Sequence, residues 1–177
     1  PGTLVIDVGD DVVPEAPYHL VEQMRASIVV LGPLLARFGT ARLALPGGDD
    51  FGGRPIDMHL GGLERMGATF STLEGAVIGH TSGMRGADVR LGFPSVGATE
   101  NLLLAAVLAE GTTIIDNAAR EPEISDLGAF VNRMGAKVSG AGSATIEIVG
   151  VDRLEPATHR VVPDRIEAAT YLAACGI

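Results

Sequence analysis

The run Gly47-Gly48-Asp49-Asp50-Phe51-Gly52-Gly53-Arg54 carries the residue types best suited to chemistry in this chain. A carboxylate between glycine pairs fits a loop that closes an acid over a substrate. An ordinary Asp has a pKa of about 3.9 and is ionised at neutral pH. To donate a proton, Asp49 would have to be raised by desolvation and by nearby anions. Taken alone, Asp49 and Asp50 read as solvated loop residues. Directly after the loop, Arg54-Pro55-Ile56-Asp57-Met58 opens a predicted helix, whose first amides lack intrahelical partners and can face an anion. Arg25 offers a second guanidinium fork for phosphate or carboxylate oxygens, or simply a surface ion pair. Ser95-Val96-Gly97 stands before another predicted helix and could bind phosphate in the same way. The four His residues show no metal-ligand spacing, and no cofactor is implied.

The elements that must position these groups occur twice. One segment runs from Ala26 through LLARFGTARLALPGG to RPIDMHLGGLERMGATF, and the other from Ala98 through VLAEGTTIIDNAAREPEISDLGAFVNRMGAKV. Gly39 aligns with Gly111 and Met66 with Met134 once a short gap is placed after the first strand. Each unit reads as helix, strand, loop, helix and strand pair, over residues 17–80 and 92–150.

In the first unit, apolar spacing predicts a helix over 17–38, kinked or divided at Pro33 and ended by Gly39. A strand follows at 40–45, a helix at 56–66, and a strand pair at 68–73 and 76–79 around Glu74-Gly75. The second unit predicts a helix at 98–109, a strand at 112–116, a helix at 122–134 and strands at 136–139 and 145–149. Pro122 suits a first helical turn. The string DRIEAATYLAACGI from Asp164 has helical periodicity and reads as the start of a third unit that the chain does not complete.

Composition narrows the class. Hydrophobic residues make up 46% and charged residues 20%, which fits a globular chain rather than a disordered one. The net charge of -9 argues against a general nucleic-acid binder, which needs a basic footprint. The single Cys175 allows no internal disulfide and fits a reducing, cytoplasmic setting. The longest apolar stretches, 27–36 and 102–109, fall short of the roughly 20 residues of a membrane helix, and no secretion signal opens the chain.

Several strings in order, MRASIVVLGPLLARFG, LPGGDDFGGRPIDMHLGGLERMGA, PSVGATEN, EGTTIIDNAAREPEI and PDRIEAATYLA, resemble the enolpyruvyl transferases acting on UDP-N-acetylglucosamine. The resemblance covers nearly the whole chain from about Ala16. It implies an α/β (α+β) fold of two similar domains. Each is an inside-out α/β barrel of three helix-strand repeats, with the active site in the cleft between them. On that reading residues 1–160 form an incomplete part of one domain, and residues 161–177 cross into the second. The implied reaction moves the enolpyruvyl group of phosphoenolpyruvate to the sugar 3′-hydroxyl by addition and elimination of phosphate, the first committed step of peptidoglycan synthesis.

The resemblance also implies roles. Asp49 falls where most of the family has a cysteine and some members have Asp, so it would be the general acid on the loop. Fosfomycin alkylates that cysteine, and an Asp there implies resistance. Arg25 and Arg54 would contact anionic ligand groups, with Pro55, Ile56, Asp57 and Met58 beside the nucleotide. Ser95, Val96 and Gly97 would bind the diphosphate, although Phe93 stands where many members have a lysine. Glu121, Asp164 and Glu167 match further substrate-side positions, where capping carboxylates would look the same. The family's Lys-Asn pair and its base aspartate have no match here, and the only lysine is Lys137. The chain is therefore expected to supply one wall of a cleft, to be inactive without the remainder of its protein, and to partner neither nucleic acid nor membrane. Two alternatives stand beside this: a non-catalytic nucleotide-sugar-binding module, and the sister enzyme acting on shikimate-3-phosphate.

Overall fold

Gly39 and Gly111 both take positive φ, 71° and 94°, immediately before a strand, and the segments around them fold alike. The computed structural model describes residues 2–9, 11–44 and 55–176. Within them the first unit comprises β1 (Glu15–Ala16), α1 (Tyr18–Val21), a 3₁₀ helix (Arg25–Val30), α2 (Leu31–Phe38), β2 (Thr40–Ala44), α3 (Asp57–Arg65), β3 (Thr69–Leu73) and β4 (Ala76–His80). The second comprises β5 (Asp88–Arg90), α4 (Val96–Ala106), β6 (Thr112–Asp116), α5 (Pro122–Arg133), β7 (Lys137–Ser139) and β8 (Thr145–Val149). Helix α6 (Arg165–Cys175) follows.

Each unit builds one four-stranded sheet, ordered β1-β2-β4-β3 and β5-β6-β8-β7. In both, the first pair is parallel and the others antiparallel. An ion pair also bridges the parallel pair in each sheet, Arg42 with Glu15 and Arg90 with Asp116. The β3–β4 hairpin turns on Glu74 and Gly75, with φ of 52° and 73°. Two consecutive positive φ values match the right-handed twist of the flanking strands.

The long first helix expected over residues 17–38 is instead three pieces. Pro33 causes neither break, because it lies in the first turn of α2, where its missing N–H has no intrahelical partner to lose. The breaks fall where Glu22–Met24 leaves the helix and where the 3₁₀ helix gives way to α2 at Leu31. The short parallel strands β1 and β5 carry too few residues for alternation to show.

Helix α4 is apolar almost all round and is accordingly central. Ala98, Thr99, Asn101, Leu102, Leu103, Ala105 and Ala106 are buried, and the helix packs on α2, the 3₁₀ helix, α3 and α5. Two glycines let neighbouring helices approach it. A Cβ on Gly32 of α2 would overlap the Asn101 carbonyl, and one on Gly62 of α3 would lie 2.6 Å from a Leu102 methyl. One core cluster therefore joins both units, from Leu31, Leu35, Leu43 and Leu63 to Leu102, Ile115, Ile124 and Ile148.

Beyond β8, the chain lies along α5. The Glu155 amide donates to Met134 O (2.8 Å), Arg133 donates to Thr158 O (3.2 Å), and His159 Nε2 meets Asp126 Oδ1 (2.8 Å). Asp164 caps α6, its Oδ1 accepting from the amides of Ile166 (2.7 Å) and Glu167 (3.3 Å). Every described residue of α6 is exposed. No described helix is long and apolar enough to cross a membrane.

Candidate functional site

Arg25 begins the 3₁₀ helix, and its Nη2 donates to the Pro55 carbonyl at 3.2 Å. This bond ties the RASI string to the chain entering α3. Ile56 is the N-cap of α3 and Asp57 its first residue, while Ile56 and Met58 pack on the core. Asp49 and Arg54 lie outside the described residues.

The next residue, His59, is buried at 5% exposure in the first turn of α3. Its Nδ1 is 3.0 Å from Asn101 Nδ2 of α4. The other side of its ring lies against the start of α4. A Cβ on Gly97 would sit 3.3 Å from His59 Cε1, so Gly97 leaves room for the imidazole. The first turns of α3 and α4 therefore meet, with Arg25 alongside. Burial lowers the His59 pKa to about 4, the Arg25 charge adds to this, and Asp57 opposes it. At neutral pH the ring is uncharged.

Ser95 caps α4 through Oγ, which accepts from the Ala98 amide at 3.3 Å. The hydroxyl expected to face a ligand thus already holds the helix start. The Val96 and Gly97 amides occupy the first two helical positions and have no intrahelical acceptor. Thr99 stiffens this turn: its Oγ1 donates to Ser95 O at 2.7 Å and accepts from the Ala119 amide at 3.0 Å.

A second group forms at the start of α5. Arg165 grips Glu123 through two nitrogens, Nε to Oε2 at 3.1 Å and Nη2 to Oε1 at 2.8 Å. That hydrogen bonding holds the Glu123 carboxyl below its usual range. Glu121 and Asp164 lie close enough for their charges to act on Arg165. Glu121 accepts from the Arg120 amide at 2.8 Å. Glu167 stands exposed in the first turn of α6. Glu100, on α4, is pushed up by burial and by the Glu123 charge.

The structure thus gathers Arg25, Asp57 and Gly97 around His59, with Pro55 tied to Arg25 and Ser95 and Val96 preceding Gly97 at the start of α4, and it gathers Glu121 and Asp164 around Arg165. The described residues contain no cluster of His, Cys, Asp and Glu fit to hold a metal ion. Sequence reasoning missed His59 and Asn101. The available signal was an Asn inside an apolar helix, since a buried amide must find partners.

The chain as a whole resembles proteins of known activity. The chain is 53% identical over 174 residues to a protein of Sorangium cellulosum named UDP-N-acetylglucosamine 1-carboxyvinyltransferase, covering 98% of this chain and 41% of that one. A Solidesulfovibrio magneticus protein of the same name is 55% identical over 175 residues, covering 99% and 42%. The chain therefore spans about 41% of the length of such curated relatives. Among solved structures, the enolpyruvyl transferase NikO from Streptomyces tendae matches with a TM-score of 0.75 at 26% identity, covering 89% of this chain and 38% of that one. EPSP synthase from Acinetobacter baumannii matches with a TM-score of 0.62 at 25% identity, covering 82% and 33%. The sequence profile described as EPSP synthase (3-phosphoshikimate 1-carboxyvinyltransferase) matches residues 2–177, and the chain belongs to that family of enolpyruvyl transferases.

Proposed function

We propose that this chain is part of a UDP-N-acetylglucosamine 1-carboxyvinyltransferase acting in peptidoglycan synthesis in the cytoplasm. In that reaction the sugar 3′-oxygen adds to C2 of phosphoenolpyruvate while the methylene carbon gains a proton. Loss of a proton from that carbon and departure of phosphate then restore the double bond. The chain contributes one wall of the cleft, and the remainder of the protein contributes the other, in keeping with the need to fix both reactants in one geometry.

The observation that carries this reading is the hydrogen bond from Arg25 to the Pro55 carbonyl beside the joined first turns of α3 and α4. It sets a guanidinium and helix-start amides on one side of the core, a combination suited to a diphosphate. Arg54 and Asp49 follow from the resemblance, as a second anion contact and the general acid. Ser95 supports the cradle by capping α4, while Val96 and Gly97 supply amides. Glu121 and Asp164, beside Arg165, and Glu167, in the first turn of α6, follow from the resemblance as further substrate-side carboxylates.

The relatives at 53–55% identity carry the UDP-N-acetylglucosamine name, which favours that substrate over shikimate-3-phosphate. Thermal shift of the full-length protein with each ligand tests this. A rise in Tm with UDP-N-acetylglucosamine alone, and phosphate release from phosphoenolpyruvate only in its presence, are expected. A response confined to shikimate-3-phosphate would reverse the substrate assignment. Binding without phosphate release would leave a nucleotide-sugar-binding module.

A further inference from the structure

His59 is a buried polar group with no part in the anion contacts proposed for Arg25, Arg54 and the helix starts. Its protonation pattern can be deduced from its neighbours. Asn101 Oδ1 accepts from the Gly32 amide at 2.6 Å, and Asn101 Nδ2 donates to the Ile28 carbonyl at 3.0 Å. A backbone N–H only donates and a carbonyl only accepts, so the Asn101 amide cannot be turned over. The second Nδ2 hydrogen therefore points to His59 Nδ1, 3.0 Å away, and Nδ1 must accept. A neutral imidazole carries one N–H, and here it is on Nε2.

That nitrogen makes no hydrogen bond to a described residue, the ring's one bond being the Nδ1 contact with Asn101. It faces the first turn of α4: a Cβ on Gly97 would lie 3.6 Å from it. Two independent features thus coincide, a helix start with unpaired amides and an imidazole edge, 95% buried as a residue, with its donor unused. Burial and the Arg25 charge, outweighing the opposing Asp57 charge, leave the ring neutral far below pH 7.

We propose that Asn101 locks His59 in the Nε2–H form, so that the ring gives an uncharged hydrogen bond to a phosphate oxygen held at the start of α4. This rests on the nucleotide-sugar reading of the same site. A neutral donor adds direction without adding charge, and Arg25 supplies the cation. The ring's position is set from behind by a group that never touches the ligand, which makes Asn101 a positioning residue and His59 a binding one.

The test uses the full-length protein labelled with ¹⁵N-histidine. Two-bond ¹H–¹⁵N spectra identify the tautomer, and His59→Gln assigns the resonance. UDP-N-acetylglucosamine and inorganic pyrophosphate are titrated separately. The expected result is an Nε2–H pattern unchanged from pH 8 to 6, with Nε2 moving on saturation by either compound. His59→Phe should weaken UDP-N-acetylglucosamine binding about tenfold, the scale of one hydrogen bond to a charged group. His59→Gln, which keeps a donor near the Nε2 position, should recover most of that loss.

An Nδ1–H pattern, or no movement with either compound, overturns the proposal. Binding of UDP-N-acetylglucosamine seen by thermal shift, with His59 silent, sinks the donor and leaves the substrate reading intact. Movement with pyrophosphate but not with the nucleotide sugar upholds the donor and sinks the substrate reading. Because the tautomer is read on the unsubstituted protein, a variant that fails to fold does not block the test.

Discussion

His59 of α3 and Asn101 of α4 meet at 3.0 Å between Nδ1 and Nδ2, and this contact crosses from the first structural unit to the second. Asn101 also holds Gly32 and Ile28, so one amide joins α4 to α3, to α2 and to the 3₁₀ helix that starts at Arg25. The groups that would face a ligand are therefore fixed relative to one another from inside the core.

The pH dependence of stability should carry the His59 signature. Its folded pKa is about 4, against an ordinary value of 6.5. Below 6.5 the unfolded chain takes up a proton that the folded chain refuses. The contribution is complete above pH 6.5 and is lost as pH falls toward 4, by at most about 3 kcal/mol. Chemical denaturation of the native chain and of His59→Gln at pH 7.5 and 4.5 checks this. The stability advantage of the native chain should shrink by roughly 2–3 kcal/mol at the lower pH, and an advantage equal at both pH values would contradict it.

Asn101→Ala should destabilise by roughly 2–4 kcal/mol, because it strands the buried Gly32 N–H and Ile28 carbonyl without partners. Urea denaturation at neutral pH measures it. A loss below about 1 kcal/mol would mean that water replaces the amide.

Adjacent glycines in α3 should respond in opposite directions. Nothing lies within 4 Å of a Cβ at Gly61, whereas one at Gly62 meets Leu102 at 2.6 Å. Gly61→Ala should raise stability by about 0.5–1 kcal/mol through helix propensity. Gly62→Ala should lower it by about 1–3 kcal/mol through overpacking. Thermal melts of the two variants decide the matter, and equal signs would refute the packing argument.

If Asp49 is the loop acid, the full-length enzyme should keep its activity after incubation with fosfomycin, because a carboxylate attacks an epoxide far less readily than a thiolate. Asp49→Cys should be inactivated in a time-dependent way. Phosphate release after preincubation reads both. Inactivation of the unsubstituted enzyme would remove Asp49 from this role.

Much of this arrangement was legible in the residue order. The strands at Thr112–Asp116 and Thr145–Val149 fall where alternation puts them, since each has one buried and one open face. The repeat itself predicted two units of like element order, and each unit builds one sheet. What failed was long-range in origin. The first helix divides where tertiary packing overrides a continuous apolar period, and β1 exists only because β2 offers it an edge. At the candidate site, the strings around Arg25 and Ser95–Gly97 drew attention to those residues as anion-binding types. His59 and Asn101 were not, because their meaning lies in a pairing across 42 positions of sequence that no local pattern encodes.

Thr99 spans the helix start and the loop after β6 with one hydroxyl, accepting from Ala119 and donating to Ser95. A hydroxyl so placed makes two distant backbone stretches share a fate. Any fluctuation that frees the Ala119 amide also loosens the turn at Ser95, so deuterium should enter both places at matched rates. The same linkage would let an anion resting on the Val96 and Gly97 amides slow breathing of the chain entering α5 at Glu121, with no contact of its own there.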